Sequence, residues 1–255
     1  MQLNIANHEY TVIENGIYYF ALPEYPEISA GELRSILEFI AYEKKYGRET
    51  EIVCDDAALL TKVTDAIAAP DSIEAVEAYD RYVYHATSLG SAKKILASGR
   101  LLSAVNVYGK TAEQLAYEKK DSLWNDPADY FEYIMFGWGS DPVGDYVVMS
   151  EVETDDMEEE FKTGKHTGVR FYFRYADLEK HPGQIADGYH AIKVKDEIVL
   201  KDYLFACVVP EQFKDEVLPC VPEALREKIV FLPQEELGIW DWSVKVYDCI
   251  CGMEK

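Results

Sequence analysis

The stretch YHATSLGSAKKILASG, residues 84–99, decides how this chain folds. A short apolar and aromatic run ends in His85, and either Thr87 or Ser88 can cap a helix that follows. Apolar residues at helical spacing come next, and Gly99 ends the helix before a second apolar run. The pattern predicts a strand, a polar turn, a helix and another strand. A histidine at a strand end beside a helix N-terminus suits a diphosphate-bearing ligand.

Length and composition are those of an ordinary globular protein. The chain has 255 residues, of which 48% are hydrophobic and 28% charged, enough for one large domain or two small ones. It contains no apolar run of 18 residues and no signal-peptide pattern, so we expect no transmembrane helix and a cytoplasmic location. The five cysteines are odd in number and mostly scattered along the chain, which favours reduced thiols. Cys249 and Cys251 are close in sequence, but no other close pair of cysteines completes four zinc ligands, so no metal is expected.

The net charge of −22 bears on partners. Such a surface repels phosphate backbones and anionic membranes, so we expect no membrane partner and slightly favour a protein over a nucleic acid as the macromolecular partner. Solubility explains the charge equally well. Segment 151–160 carries seven carboxylates in ten residues; we expect an exposed loop, since its spacing matches no metal-binding loop.

Residues 1–80 read as a small α/β domain of their own. An Asn15-Gly16 turn signal predicts a hairpin, and Ser29 with Glu32 forms a capping box at the start of a helix. With a short strand at 51–54 and a helix capped by Asp55, the expected order is β-β-α-β-α. No catalytic constellation is present. The segment contains 16 acidic and five basic residues. Its role is left open: it is structural, an adaptor, a partner-binding module or a lid.

Residues 81–255 read as a second, aromatic-rich domain, and the whole chain is therefore expected to be α+β. Arg170 and Arg174 lie on the same face of a predicted strand. Their expected role is to neutralise nearby carboxylates rather than to bind a diphosphate. The predicted strands cover 82–84, 146–149, 168–175, 191–200, 204–210 and 240–251, and the predicted helices cover 111–120, 130–136 and 218–228.

The second informative feature is Glu197, which opens the otherwise apolar run Glu-Ile-Val-Leu and is followed by a further strand at 204–210. A carboxylate at that point can lie at a sheet edge above a cleft. An acidic residue at the start of a strand is more often simply solvated.

Together these two segments resemble a known family. The string Tyr-His85-Ala-Thr-Ser, followed by Ile-Leu-x-x-Gly99-x-Leu, resembles the first NAD-binding motif of ADP-ribosyltransferases, closest to the diphtheria-toxin-like branch that includes poly(ADP-ribose) polymerases. The run from Glu197 to the Tyr203-Leu204 pair resembles the third motif of that family. The order of the motifs and their separation of about 110 residues also suit the family, and the resemblance covers about residues 81–210.

The resemblance implies a split, twisted, mainly antiparallel sheet with a central cleft for NAD. His85 would bond the adenosine-side ribose, Thr87 would support that ribose or the turn, and Gly99 belongs to the same binding motif. Glu197 would contact the nicotinamide ribose. There a carboxylate stabilises the positive charge that develops on the sugar and can act as a general base.

The middle motif of the family, a strand of the type Gly-x-Gly-x-Tyr-Phe-Ala, is where this chain departs. The best match is GDYVVMSE at 144–151, in which Val148 replaces the usual tyrosine. Tyr146, two residues earlier on the same face of the predicted strand, would supply the ring that stacks on nicotinamide, and Tyr172 is its rival.

The function implied by the resemblance is NAD-dependent ADP-ribosylation of a macromolecule, protein or nucleic acid, with release of nicotinamide. The alternative is a catalytically inactive module of the same fold that binds an NAD-derived ligand or a protein partner, which the departure in the middle motif supports. A phosphotransferase that acts on an RNA 2′-phosphate ranks last, because no arginine cluster accompanies the motifs.

Overall fold

The structure of the chain, a computed structural model, describes residues 1–8, 11–14, 16–74, 77–118, 127–150 and 168–254. The acidic segment 151–160, which we expect to be an exposed loop, lies outside the described residues. Among the helices described, none is long and apolar enough to cross a membrane. The architecture is a mixture of helices and strands in more than one sheet, as the α+β expectation requires.

The N-terminal part forms a four-stranded sheet with two helices. The sheet order is β2-β3-β1-β4, with β1 parallel to β3 and β4 and β2 antiparallel to β3. Its own core packs the sheet against the helices. Three strands rather than the expected two precede the first helix. The elements are β1 (Gln2–Ala6), β2 (Val12–Glu14), β3 (Ile17–Ala21), α1 (Ala30–Lys45), β4 (Glu51–Cys54) and α2 (Ala57–Ala68).

Helix α1 begins with the capping box that the sequence predicts. The Ser29 hydroxyl accepts from the Glu32 amide, and the Glu32 carboxylate accepts from the Ser29 amide at 2.7 Å. Helix α2 is capped by Asp56 instead of the expected Asp55, because the Asp56 carboxylate reaches the Leu59 amide. Both caps satisfy amides that a helix leaves without internal partners.

We expect Ser29→Ala to lower the free energy of unfolding by about 1 kcal/mol, since it removes one half of the capping box. Urea denaturation followed by circular dichroism measures the change. Ser72→Ala, which alters an exposed hydroxyl outside the long helices, is the control. A Ser29→Ala midpoint equal to that of the unaltered chain would contradict the assignment.

The C-terminal part is built on a seven-stranded sheet of order β13-β12-β8-β5-β7-β10-β9, antiparallel except for the β12–β13 pair. A separate two-stranded ribbon pairs β6 with β11. The strands are β5 (Tyr82–Thr87), β6 (Arg100–Leu102), β7 (Tyr133–Trp138), β8 (Val169–Arg174), β9 (Gln184–Ile185), β10 (Ile192–Lys195), β11 (Glu197–Val199), β12 (Leu204–Pro210) and β13 (Ile229–Leu232).

Helices cover both faces of this sheet. They are α3 (Leu89–Ser98), α4 (Ala104–Tyr108), α5 (Ala112–Glu118), α6 (Val143–Ser150), α7 (Tyr175–Leu178), α8 (Leu200–Tyr203), α9 (Lys214–Val217) and α10 (Ile239–Gly252). Side chains of β5 alternate between the faces. Val83 joins the core under α3 and the β6–β11 ribbon, whereas Tyr82 and Tyr84 pack with Trp242 of α10.

Five secondary-structure predictions were wrong in this part of the chain, and those over 146–149 and 191–200 are corrected with the site below. Residues 240–251 form α10 rather than a strand: Ile239, Trp242, Val246 and Ile250 recur at helical spacing and are all buried. Residues 130–136 are not a helix but the end of a 3₁₀ turn at 128–132 followed by β7. The expected helix over 218–228 is two 3₁₀ turns, because Pro219 and Pro222 interrupt it.

Candidate functional site

His85 lies where the seven-stranded sheet splits. Strand β5 pairs with β8 along its whole length, but its ladder with β7 covers only Val83 and Tyr84. Beyond this ladder, His85 Nδ1 lies 3.1 Å from the carbonyl oxygen of Met135 in β7. The imidazole therefore bridges the two strands at the point where their backbone pairing ends.

This contact fixes the protonation of His85. A carbonyl oxygen only accepts, so Nδ1 carries the proton and donates it to Met135. Burial lowers the pKa of His85 below its usual 6.5, so the ring is neutral at pH 7. Nε2 then keeps a lone pair, and it makes no hydrogen bond to any residue the structure describes. A neutral, oriented acceptor of this kind suits a ligand hydroxyl.

The depressed pKa of His85 predicts a pH-dependent stability. The unfolded chain takes up the proton near pH 6.5 and the folded chain only at lower pH, so stability falls as pH drops from about 6.5 towards the folded pKa. In His85→Asn the side-chain amide can still donate to Met135 but does not titrate. We expect urea midpoints measured between pH 7.5 and pH 5 to fall less in the variant. Equal slopes for the two proteins would contradict this reading.

Two neighbours of His85 in the first motif have mainly backbone roles. Thr87 ends β5 opposite Val169, and the next residue, Ser88, caps α3. Gly99 ends α3 with φ +67, a conformation that favours glycine, and its carbonyl accepts from the Leu200 amide at 2.9 Å. Gly99 thus links the helix after His85 to the segment that carries Glu197.

Glu197 lies on the β6–β11 ribbon. It pairs with Leu102, the next residue Ile198 is fully buried, and the Glu197 side chain is 41% exposed. Its carboxylate Oε2 forms an ion pair with the guanidinium of Arg100, the first residue of β6. The segment that follows His85 and the segment that begins at Glu197, far apart in sequence, are therefore neighbours.

The turn at Asp196 sets the direction of β11. One continuous strand is expected over 191–200, but Asp196 has φ +65 and separates β10 from β11. Its amide donates to the carbonyl of Glu132 at 3.0 Å, and its own carbonyl accepts from the Ser103 amide at 2.8 Å. Both bonds tie the start of β11 to the ends of neighbouring elements.

A groove of about 420 Å³ opens beside Glu197. The turn at 181–183 forms one wall, and β11 with the following helix α8 forms the other. The lining residues are His181, Pro182, Gly183, Lys195, Asp196, Glu197, Val199 and Tyr203.

The two rings predicted to stack on nicotinamide lie in different environments. Tyr146 was predicted on a strand but lies in helix α6, which starts after Pro142 and has Asp141 bonded to its first amide. Tyr172 is fully buried, stacks on Tyr84 at 5.6 Å and donates to the Gly139 carbonyl. It faces α10, on the side of the sheet opposite His85.

Arg170 and Arg174 neutralise acids, as expected. Arg170 is fully buried and forms an ion pair with Asp145 of α6. The charge of Asp145 raises the pKa of the guanidinium. The guanidinium carbon of Arg170 lies 4.6 Å from the centroid of the Tyr84 ring. Arg174 pairs with Glu254 near the end of the chain. Neither arginine lies on the His85 face of β8.

A buried polar cluster between the two parts of the chain was not foreseen. Tyr42 of α1 donates to the Asp129 carboxylate at 2.5 Å, and Arg48 forms a salt bridge with the same carboxylate. The ammonium of Lys193 lies 3.7 Å from the Tyr42 ring centroid and 2.9 Å from Asp187. Partners 87 residues apart leave no local signal in the sequence.

This cluster stabilises the strands next to the candidate site from the opposite face of β10. Lys193 alternates with the core residues Ile192 and Val194, so it lies on the face of β10 opposite the core that contains Ile198. Through Tyr42, helix α1 thus braces β7 and β10, the strands that carry Met135 and lead to Asp196. Of the roles left open for residues 1–80, this contact favours a structural one over a lid.

Within the residues that the structure describes, no group of three His, Cys, Asp or Glu side chains is placed to hold a metal ion. The comparisons with protein-family models, with curated proteins and with solved structures give no significant match. A function for this chain therefore depends on its own residues and their geometry.

Proposed function

We propose that the chain is an NAD-dependent ADP-ribosyltransferase that modifies a macromolecule and releases nicotinamide. The observation that carries the proposal is the β6–β11 ribbon. It sets Glu197 beside β6, the strand that follows helix α3, and α3 itself follows His85. The Leu200 amide bonds the Gly99 carbonyl in the same place. The two segments that resemble the first and third motifs of that family thus form one unit.

His85 supports the binding half of the proposal. Its Nδ1–H is held by Met135 and its Nε2 is left as an acceptor, so it can take a hydrogen bond from a ribose hydroxyl. The split between β5 and β7 begins at the same residue. An oriented acceptor beyond the end of the β5–β7 ladder suits a hydroxyl of the adenosine ribose.

Glu197 supports the reacting half. When the bond between the sugar and nicotinamide breaks, nicotinamide leaves with the bonding electrons and positive charge develops on the sugar. A fixed carboxylate stabilises that charge, and it can accept the proton of the incoming nucleophile. The ion pair with Arg100 restricts the orientation of the Glu197 carboxylate.

One observation favours the alternative, a module that binds an NAD-derived ligand or a protein partner without turnover. Tyr172 is fully buried on the face of the sheet opposite His85, and Tyr146 lies in helix α6 rather than on the predicted strand. The strand that pairs with both β5 and β10 reads Tyr-Ile-Met-Phe-Gly-Trp, and its Phe136 is buried in the core. A site without a stacking ring would hold nicotinamide weakly.

Incubation of the purified chain with NAD and cell lysate tests the proposal. Free nicotinamide and ADP-ribose label are followed together. Label on a protein or nucleic-acid band, with matching nicotinamide, is the expected result, and the acidic surface favours a protein band. NAD binding without nicotinamide release would instead support the non-catalytic module.

A further inference from the structure

The 3₁₀ turn at 128–132 holds the start of strand β11, which carries Glu197. The carbonyl of Glu132, the last residue of this turn, accepts from the Asp196 amide at 3.0 Å. The Glu132 carboxylate also lies 2.9 Å from the ammonium of Lys195. One residue of the turn thus contacts both residues that precede Glu197, and the chain bends at Asp196, which has φ +65. A shift of the turn would therefore move the start of β11.

The two ends of β11 are anchored to different parts of the protein. At its start, the Asp196 amide is held by the carbonyl of Glu132. At its end, the Leu200 amide donates to the carbonyl of Gly99, the residue that ends α3, at 2.9 Å. The first anchor moves with the 3₁₀ turn, whereas the second moves with α3.

Helix α1 of the N-terminal part fixes the position of the same turn. The hydroxyl of Tyr42 donates to the Asp129 carboxylate at 2.5 Å, and Asp129 is only 8% exposed. Arg48, which follows α1, forms an ion pair with that carboxylate. Just after the turn, the hydroxyls of Tyr46 and Tyr133 share a hydrogen bond. Hydrogen bonds to a buried carboxylate are costly to break, so α1 holds the turn in one place.

A second contact between the two parts of the chain uses a different segment. The hydroxyl of Tyr18 donates to the carbonyl of Gly188, in the segment before β10, at 2.9 Å. A Cβ at Gly188 would lie 1.9 Å from the carbonyl oxygen of Ser35 in α1, so this segment lies directly against the helix. The Tyr18 hydroxyl thus joins the same two parts of the chain without the 3₁₀ turn, and its removal is a matched comparison.

We propose that helix α1 positions Glu197 through the 3₁₀ turn at 128–132, with Tyr42 and Tyr46 as positioning residues. The inference rests on the proposed transferase function, and it gives residues 1–80 a role in that reaction. Both tyrosines act through the turn rather than on the substrate. A carboxylate held less firmly stabilises the charge on the sugar less well, so looser positioning slows the chemical step more than it weakens NAD binding.

Hydrogen exchange of single amides, measured by NMR on the full chain, tests this connection without NAD. Tyr42→Phe removes the hydroxyl that bonds Asp129 and keeps the aromatic ring. We expect exchange of the Asp196 amide to become about tenfold faster, because the turn that holds it loosens. Exchange of the Leu200 amide should change by less than about twofold, because its partner belongs to α3.

Two further variants complete the comparison. Tyr46→Phe removes the hydroxyl contact with Tyr133 and should also speed exchange at Asp196, so the test does not depend on one variant that folds well. Tyr18→Phe, the matched control, removes another tyrosine hydroxyl between the same two parts of the chain. It should leave exchange at Asp196 unchanged.

Steady-state kinetics of nicotinamide release test the effect on the reaction. In Tyr42→Phe and Tyr46→Phe we expect kcat to fall about tenfold while KM for NAD stays within about twofold. KM should hold because His85 is anchored by β5 and Met135 within the seven-stranded sheet. A general loss of folded protein would lower the rate in Tyr18→Phe as well, whereas the positioning role leaves that variant unaffected.

Unaltered exchange at Asp196 in both variants, or equal acceleration at Asp196 and Leu200, would overturn the connection and leave the transferase proposal standing. Faster exchange at Asp196 with an unaltered kcat would overturn the positioning role of the two tyrosines. No nicotinamide release from the unaltered chain would overturn the transferase proposal, while the exchange rates alone would still confirm or overturn the connection from α1 to β11.

Discussion

Glu197→Gln is expected to lower the rate of nicotinamide release from NAD about 100- to 1000-fold. The amide has nearly the shape of the carboxylate but no charge, so it cannot stabilise positive charge on the sugar or accept a proton. Glu197 lies on the β6–β11 ribbon, and the next pair of that ribbon, Ile198 with Leu101, is buried. The substitution should therefore leave the backbone at residue 197 in place.

Two measurements make this result specific. The dissociation constant for NAD, from calorimetry, shows whether the variant still binds its substrate. Glu223→Gln, at an exposed carboxylate in a 3₁₀ turn, controls for the general loss of negative charge. A Glu197→Gln rate within about twofold of the unaltered chain would remove Glu197 from the reaction and favour the binding module.

Asp145→Ala is expected to cost about 3–5 kcal/mol of folding free energy. Asp145 and Arg170 are both fully buried, and Arg170 also bonds Tyr172 at 3.0 Å and Ser243 at 3.2 Å. Loss of the carboxylate leaves a buried guanidinium without its counter-charge. Because this pair joins α6, β8 and α10, the whole α10 side of the sheet should loosen. Denaturant unfolding measures the change.

Strand β8 supplies its own control. Arg174 forms an exposed pair with Glu254, and Glu254→Gln should change stability far less. The double variant Asp145→Ala/Arg170→Met should recover part of the loss, since it removes the unpaired charge along with its partner. A loss below about 1 kcal/mol for Asp145→Ala would show that water or another group compensates Arg170.

Elements with strong local signals could be predicted from the sequence. Ser88, Gly99 and the apolar spacing between them specify α3, and the Ser29 capping box specifies α1. In these cases each end has its own side-chain or backbone signature, so no distant contact is needed to define the element.

The errors arose where composition and periodicity disagree. Helix α10 is rich in aromatic and β-branched residues, which favour strands, but its buried positions recur every three or four residues. Tyr146 was misplaced for the same reason: Val147 and Val148 suggest a strand, while Asp141 and Pro142 start a helix. In both places the periodicity or the cap was the better guide.

The candidate site was only partly foreseeable. The resemblance placed His85 and Glu197 in one site, and their neighbourhoods are joined by the β6–β11 ribbon. The tautomer of His85, the groove at His181 and the bracing contact of Tyr42 with Asp129 depend on chain segments far apart in sequence. Such contacts have no spacing rule in a single sequence, so only the folded chain reveals them.

A crystal structure of Glu197→Gln with NAD is the most direct test of the central claim. The proposal predicts the adenosine ribose on His85 Nε2, at the split between β5 and β7, and the nicotinamide ribose next to residue 197. NAD bound elsewhere on the chain, or a site that stays empty at saturating NAD in solution and in the crystal, would contradict it.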